Sequence, residues 1–173
     1  MATQLNLSKL SLREALDIAV IIEDQAKERY EELAAQMDGH HTMEAAEFFR
    51  FMVANEAKHG DELRRQRQKM FGNQPVEVDE QMVPQVESPD YDEVRAFMSA
   101  RQALNVALVA ETRAYEFFVE AIAHVKDRDV RKLFAELRDE EVEHKQLVQA
   151  QLDKLPPNGK GDTDDYVDEP VPQ

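Results

Sequence analysis

The sequence predicts an all-α protein, a four-helix bundle of two antiparallel helix pairs with a long crossover between helices 2 and 3. Three observations carry this reading. Apolar residues recur every three or four positions in four separate stretches, the period of a helix that buries one face. Between the second and third stretches, Pro75, Pro84 and Pro89 exclude a continuous helix. Two Glu-x-x-His steps, Glu56-Ala57-Lys58-His59 and Glu141-Val142-Glu143-His144, lie inside the apolar stripes, where an unpaired carboxylate is out of place.

Helix 1 is expected near residues 11–38. Ser11-x-x-Glu14 reads as a capping box, with Leu10 and Ala15 as its hydrophobic staple. The stripe runs Leu12, Ala15, Ala19, Ile22, Ala26, Tyr30, Leu33, Met37, and Glu23 falls within it. Asp38-Gly39 is expected to end the helix, with Gly39 as a left-handed cap. Helix 2 is expected near 42–71, capped by Thr42. Its stripe is Ala45, Phe48, Phe49, Met52 and Leu63, with Glu56 and His59 on the same face. Residues 72–92 hold six acids and no base. A connector of this length is unusual in a compact domain; fully extended, it reaches about 60 Å, enough to run the length of a bundle. Helix 3 is expected near 92–125 behind a second capping box, Asp90-x-x-Glu93. Its stripe is Phe97, Ala100, Leu104, Ala107, Ala114, Phe118 and Ile122, and contains Glu111. Helix 4, near 129–154, follows a short turn at 126–129. Val130, Leu133, Phe134, Leu137, Leu147 and Val148 share its face with Glu141 and His144. Residues 1–155 thus form one domain, and 156–173, rich in Pro, Gly and Asp, read as a disordered acidic tail.

An internal repeat supports the parsing. Glu23-x-x-Ala26-x-x-x-Tyr30 on helix 1 parallels Glu111-x-x-Ala114-x-x-x-Phe118 on helix 3. Each odd helix offers one Glu, and each even helix one Glu-x-x-His. The six residues are also level. Glu23 and Glu56 lie equally far from the first turn, about 24 Å at 1.5 Å per residue, and Glu111, Glu141 and His144 are similarly matched about the second. With the connector spanning the bundle, both sets fall at mid-height. Four carboxylates converging in an apolar core cost several kcal/mol each unless protonated or paired, and the stripes supply no Lys or Arg. Two divalent cations would balance four Glu in charge, with two neutral imidazoles as further ligands. This donor set suits Fe or Mn, and also Zn.

Composition narrows the function classes. The net charge of −15 argues against nucleic acid and anionic membranes as partners and is compatible with attracting cations. No apolar run is long enough to span a membrane, and the first residues lack the pattern of a secretory signal. Cys is absent, which removes disulfides and thiolate metal sites and fits a cytoplasmic, reducing compartment.

One Glu from each of two helices and Glu-x-x-His from each of the other two is the ligand pattern of the ferritin-like di-iron carboxylate proteins, which residues 10–155 resemble. The resemblance implies that Glu23, Glu56, His59, Glu111, Glu141 and His144 are ligands to two Fe ions, with Glu56 and Glu141 bridging. Within that superfamily the chain is most similar to the rubrerythrin-related branch. Tyr30, two turns after Glu23, matches a tyrosine that this branch uses to hydrogen-bond a metal carboxylate, which makes it a candidate catalytic residue. Two departures stand out: there is no four-Cys rubredoxin segment, and Ala114 stands where rubrerythrins carry an extra Glu. Asn55, Glu140 and Tyr115 are candidate partners for the ligating imidazoles, and His40, His41 and His124 read as surface residues. The implied function is a redox enzyme that oxidises Fe²⁺ with O₂ or H₂O₂, with an external electron donor, as a homodimer or higher homo-oligomer. The alternative is an iron-binding, storage or carrier protein without turnover.

Overall fold

The computed structural model describes residues 6–39, 43–89 and 99–155. They form four α-helices, α1 (Leu12–Gly39), α2 (Met43–Phe71), α3 (Ala100–His124) and α4 (Arg128–Leu152), and contain no strand. Short 3-10 turns occupy Leu7–Lys9 and Glu80–Met82.

Cross-helix pairs fix the directions. Arg50 bonds Asp38, Arg64 bonds Asp24 and Arg67 bonds Asp17, so α1 and α2 run antiparallel from a short turn. Phe118 packs on Phe134 and Lys145 lies over Tyr115, so α3 and α4 do the same. The core divides into two apolar clusters. One joins Leu16, Ile18 and Ile22 of α1 to Leu63, Phe118, Val130 and Phe134. The other joins Tyr30, Leu33 and Met37 to Ala45, Phe49, Met52, Leu104 and Val148. The α1–α2 turn therefore lies at one end of the bundle and the α3–α4 turn at the other. Helices α2 and α3 are parallel, and residues 72–99 connect opposite ends.

Local chemistry explains most boundaries. The Ser11 amide reaches Glu14 Oε2 at 2.9 Å and the Glu14 amide returns to Ser11 Oγ at 3.3 Å, the expected capping box. Asp127 caps α4 by accepting from the amides of Asp129 and Val130. Two expectations are corrected. Gly39 is not a left-handed cap: it is the last residue of α1, and the positive φ of +59° belongs to Gly72, which ends α2. Helix α3 starts at Ala100 rather than near residue 92. Ser99, extended at ψ 161°, is the N-cap of α3 and forms a capping box with Gln102, and residues 90–98 before it lie outside the described residues. The expected Asp90-x-x-Glu93 box, the Thr42 cap, His40, His41 and the tail all lie outside the described residues.

Candidate metal centre

Between the two apolar clusters lies a layer of buried polar side chains. Glu23, Glu56, Glu111, Glu141 and His144 are 0–4 % exposed, and His59 is half-buried. Helical spacing puts each Glu-x-x-His pair one turn apart on an inward face, and the two hairpins bring the pairs together. The rings of His59 and His144 stack with centroids 4.9 Å apart and planes within 5°. Ligand atoms of Glu56, His59 and His144 lie within 4.8 Å of one another, and so do those of Glu23, His59 and Glu140. His144 Nδ1 is 3.1 Å from Glu111 Oε2 and 3.8 Å from Glu141 Oε2. All six residues singled out by the sequence thus meet in one layer.

Tyr30 completes the far side. Its buried hydroxyl donates to Glu111 Oε1 at 2.6 Å, so Glu111 engages a phenol with one oxygen and an imidazole with the other. Of the other candidate partners, Glu140 reaches the Glu23–His59 side. Asn55 turns back to the Phe51 carbonyl, and Tyr115 lies under Lys145 instead of beside His144. His144 is served by Glu111 itself. His124 bonds the Glu120 carbonyl at the exposed end of α3.

A residue outside the four stripes also enters the layer. Glu87, in the connector, is 1 % exposed. One of its oxygens falls within 4.8 Å of ligand atoms from Glu56, Glu111 and His144. The signal for it in the sequence was slight: a lone Glu between Val86 and Ser88 in an acidic stretch, with no helical period to give it a face.

The electrostatics record the crowding. Burial, and next the charge of Glu87, push Glu23, Glu56 and Glu141 well above the usual carboxylate range. Burial and the charge of Glu111 push Glu87 up to about 7. Burial opposes a charged His144, but the hydrogen bond and charge of Glu111 outweigh it and raise the imidazole. His59 is lowered by burial and by His144 beside it.

The donor set fits metal ions. Glu23 Oε2, both oxygens of Glu56 and of Glu87, Glu141 Oε2, His59 Nδ1 and His144 Nε2 are buried without a hydrogen-bond partner. With the carboxylates ionised, no Lys or Arg among the described residues pairs with these oxygens; without metal, shared protons must offset the charge. Oxygen and imidazole donors a few ångströms apart are what a divalent transition metal with bonds near 2 Å requires.

The fold and this layer define a ferritin-like four-helix bundle with a carboxylate–histidine cluster that could hold metal. The family profile for Rubrerythrin matches residues 14–152, and the chain belongs to the rubrerythrin family. Among solved structures it is similar to an uncharacterised conserved protein from Magnetospirillum magnetotacticum MS-1, at 28 % identity and a TM-score of 0.68, over 87 % of this chain and 99 % of that one. The comparison with curated proteins finds no match.

Proposed function

We propose that this protein is a di-iron oxidoreductase that oxidises Fe²⁺ with O₂ or H₂O₂. Glu23, Glu56, His59, Glu111, Glu141 and His144 would hold the two ions. Bound iron supplies the one-electron redox chemistry that carboxylates and imidazoles lack. The observation behind this reading is the set of buried oxygen and nitrogen atoms, from three helices and the connector, that have no hydrogen-bond partner among the described residues. A purely structural polar core would have satisfied them.

The chain's own residues have distinct parts in it. Glu111 is oriented by Tyr30 and His144, so its position is set before any ion arrives. Glu23, Glu56 and Glu141 bind protons readily because of burial, so metal binding releases protons from them and metal loss restores them. The Tyr30 hydroxyl, held in the neutral form by burial and by Glu111, is a fixed donor against the site. The apolar clusters above and below keep bulk water away. With Fe²⁺ as reductant the reaction balances: two Fe²⁺ and two protons convert one H₂O₂ into two waters. These 173 residues hold no Cys and so no thiolate-bound iron among them; the electrons would come from Fe²⁺ or from a separate donor.

An anaerobic Fe²⁺ titration followed by rapid mixing with O₂ or H₂O₂ tests this. Uptake of two Fe²⁺ per chain and their oxidation within turnover times is expected. Uptake without oxidation by either oxidant would favour an iron carrier; no uptake would overturn the reading.

A further inference from the structure

Glu87 is not on any of the four helices, yet it is among the most buried charged residues of the described structure. Its backbone is fastened on both sides. Arg113 donates through Nε to the Val86 carbonyl at 2.8 Å and through its terminal nitrogen to the Ser88 carbonyl. Arg29 donates through Nε to the Pro89 carbonyl at 2.6 Å. The two arginines come from α1 and α3, the helices that also carry Glu23 and Glu111. Val83 and Val86 are buried in the apolar cluster, and Val86, Ser88 and Pro89 are buried with Glu87. The segment is therefore docked, and docking delivers one carboxylate to the polar layer.

That carboxylate has no dedicated donor among the described residues and shares the layer with Glu56 and His144. Both of its oxygens are buried without a hydrogen bond, although two arginines hold the main chain beside it. An unpaired buried charge costs several kcal/mol, and a docked loop could avoid that cost by presenting any neutral side chain. Ligand atoms of Glu56, Glu111 and His144, all buried, lie within 4.8 Å of one of its oxygens and of one another. Atoms bound to one ion at about 2 Å lie no more than roughly 4 Å apart, so a small side-chain adjustment closes the set.

We infer that Glu87 is a seventh protein ligand of the metal centre, supplied by the crossover connector, and that metal binding locks residues 83–89 onto the bundle. This rests on the di-metal reading above and adds a ligand to one half of it, the Glu56–Glu111–His144 side. Ligand atoms of Glu23, His59 and Glu140 form a separate group on the other side.

The test uses the full chain, Fe²⁺ without oxygen, and three proteins: wild type, Glu87→Gln, and Glu80→Gln as an exposed control in the same connector. Isothermal titration is expected to give two tightly held Fe²⁺ in wild type and in Glu80→Gln. In Glu87→Gln one of the two positions should weaken on the order of 10- to 100-fold. Metal-free Glu87→Gln should melt no lower than metal-free wild type, because a neutral amide replaces a buried carboxyl that has no dedicated donor, while its rise in melting temperature on adding Fe²⁺ should shrink. A merely structural Glu87 predicts the reverse, a lower metal-free melting point with Fe²⁺ affinity intact, and that result would overturn the inference. Hydrogen exchange on wild type alone gives a readout independent of any variant. Fe²⁺ should protect amides of residues 83–89. Two Fe²⁺ bound with no added protection there would also overturn the inference while leaving the six-ligand site standing. A wild-type chain that binds no Fe²⁺ would overturn the metal centre itself.

Discussion

Raising the pH should destabilise the metal-free protein, and the site sets the size of the effect. Glu87 moves from an ordinary value of 4.5 when unfolded to about 7 when folded, chiefly through burial and then through the charge of Glu111. Between those values the folded chain holds a proton that the unfolded chain has lost. Stability therefore falls as pH rises through that window, by up to about 1.4 kcal/mol per pH unit for one group. Across the window one proton held this way by the carboxylate cluster accounts for about 3 kcal/mol, which in a domain of this size is a drop of roughly 6–12 °C in melting temperature. Glu23, Glu56 and Glu141 are also raised and act with the same sign. His144, raised, contributes stability that is present at low pH and lost as pH rises through its folded value, again the same sign; His59, lowered, acts the other way.

The assay is thermal unfolding by circular dichroism between pH 4.5 and 7.5 in the presence of a chelator. Self-repulsion of a chain of net charge −15 has the same sign, but salt screens it. Melts in about 1 M salt, where the screening length is about 3 Å, isolate the buried contribution. Glu87→Gln should flatten the slope by up to one proton. Saturating Fe²⁺ in the absence of oxygen should reverse its direction, since ligands must lose protons to bind metal. A metal-free melting temperature that stays level or rises from pH 4.5 to 7 would refute the account of crowded, proton-holding carboxylates.

Other outcomes follow from single side chains. His59→Ala and His144→Ala should each weaken metal binding at one position by on the order of 10-fold or more and suppress Fe²⁺ oxidation, read by titration and stopped-flow absorbance; unchanged rates in both would sink the catalytic role. Tyr30→Phe, which removes a buried 2.6 Å hydrogen bond to a carboxylate, should cost about 1–3 kcal/mol in chemical denaturation and slow oxidation while leaving the metal stoichiometry at two. Arg67→Ala should destabilise the chain by about 3 kcal/mol without changing metal content, because it strands the fully buried side chain of Asp17 between α1 and α2.

Helix periodicity made most of this structure legible in advance. Glu23, Glu56, His59, Glu111, Glu141 and His144 could be placed because each sits on a stripe with a definite face, and because distance along a helix converts to height. The opposite placement of the two turns followed from the connector's length. Periodicity is silent where there is none. Glu87 lies in an irregular segment held by arginine–carbonyl bonds, and nothing in its neighbours' identities gives its direction. The start of α3 was misjudged for a related reason. Asp90-x-x-Glu93 and Ser99-x-x-Gln102 both fit the capping-box pattern; the second is formed at the start of α3, and the first lies outside the described residues. Gly39 and Gly72 show the same limit. Each follows a helical stripe, but only at Gly72 does the chain take the left-handed conformation that glycine permits.

The repeat of Glu23, Ala26, Tyr30 in Glu111, Ala114, Phe118 suggests two equivalent half-sites, and the structure departs from that at each step outward from the ligands. The tyrosine that holds Glu111 has its counterpart in Phe118, which has no hydroxyl, so Glu23 receives no matching bond and its Oε2 is left without a partner. Glu111 is gripped from two sides and wholly buried; Glu23 shares its side with a half-buried His59 and Glu140. The connector brings Glu87 within 4.8 Å of ligand atoms of Glu56, Glu111 and His144, and its charge also reaches Glu23. One half is therefore more enclosed and more firmly hydrogen-bonded, and the other is more open. Identical ligand types on a duplicated hairpin would then bind two ions with different affinity. The difference would arise from the hydroxyl at position 30 and the loop across the bundle, not from the ligands that the repeat makes conspicuous.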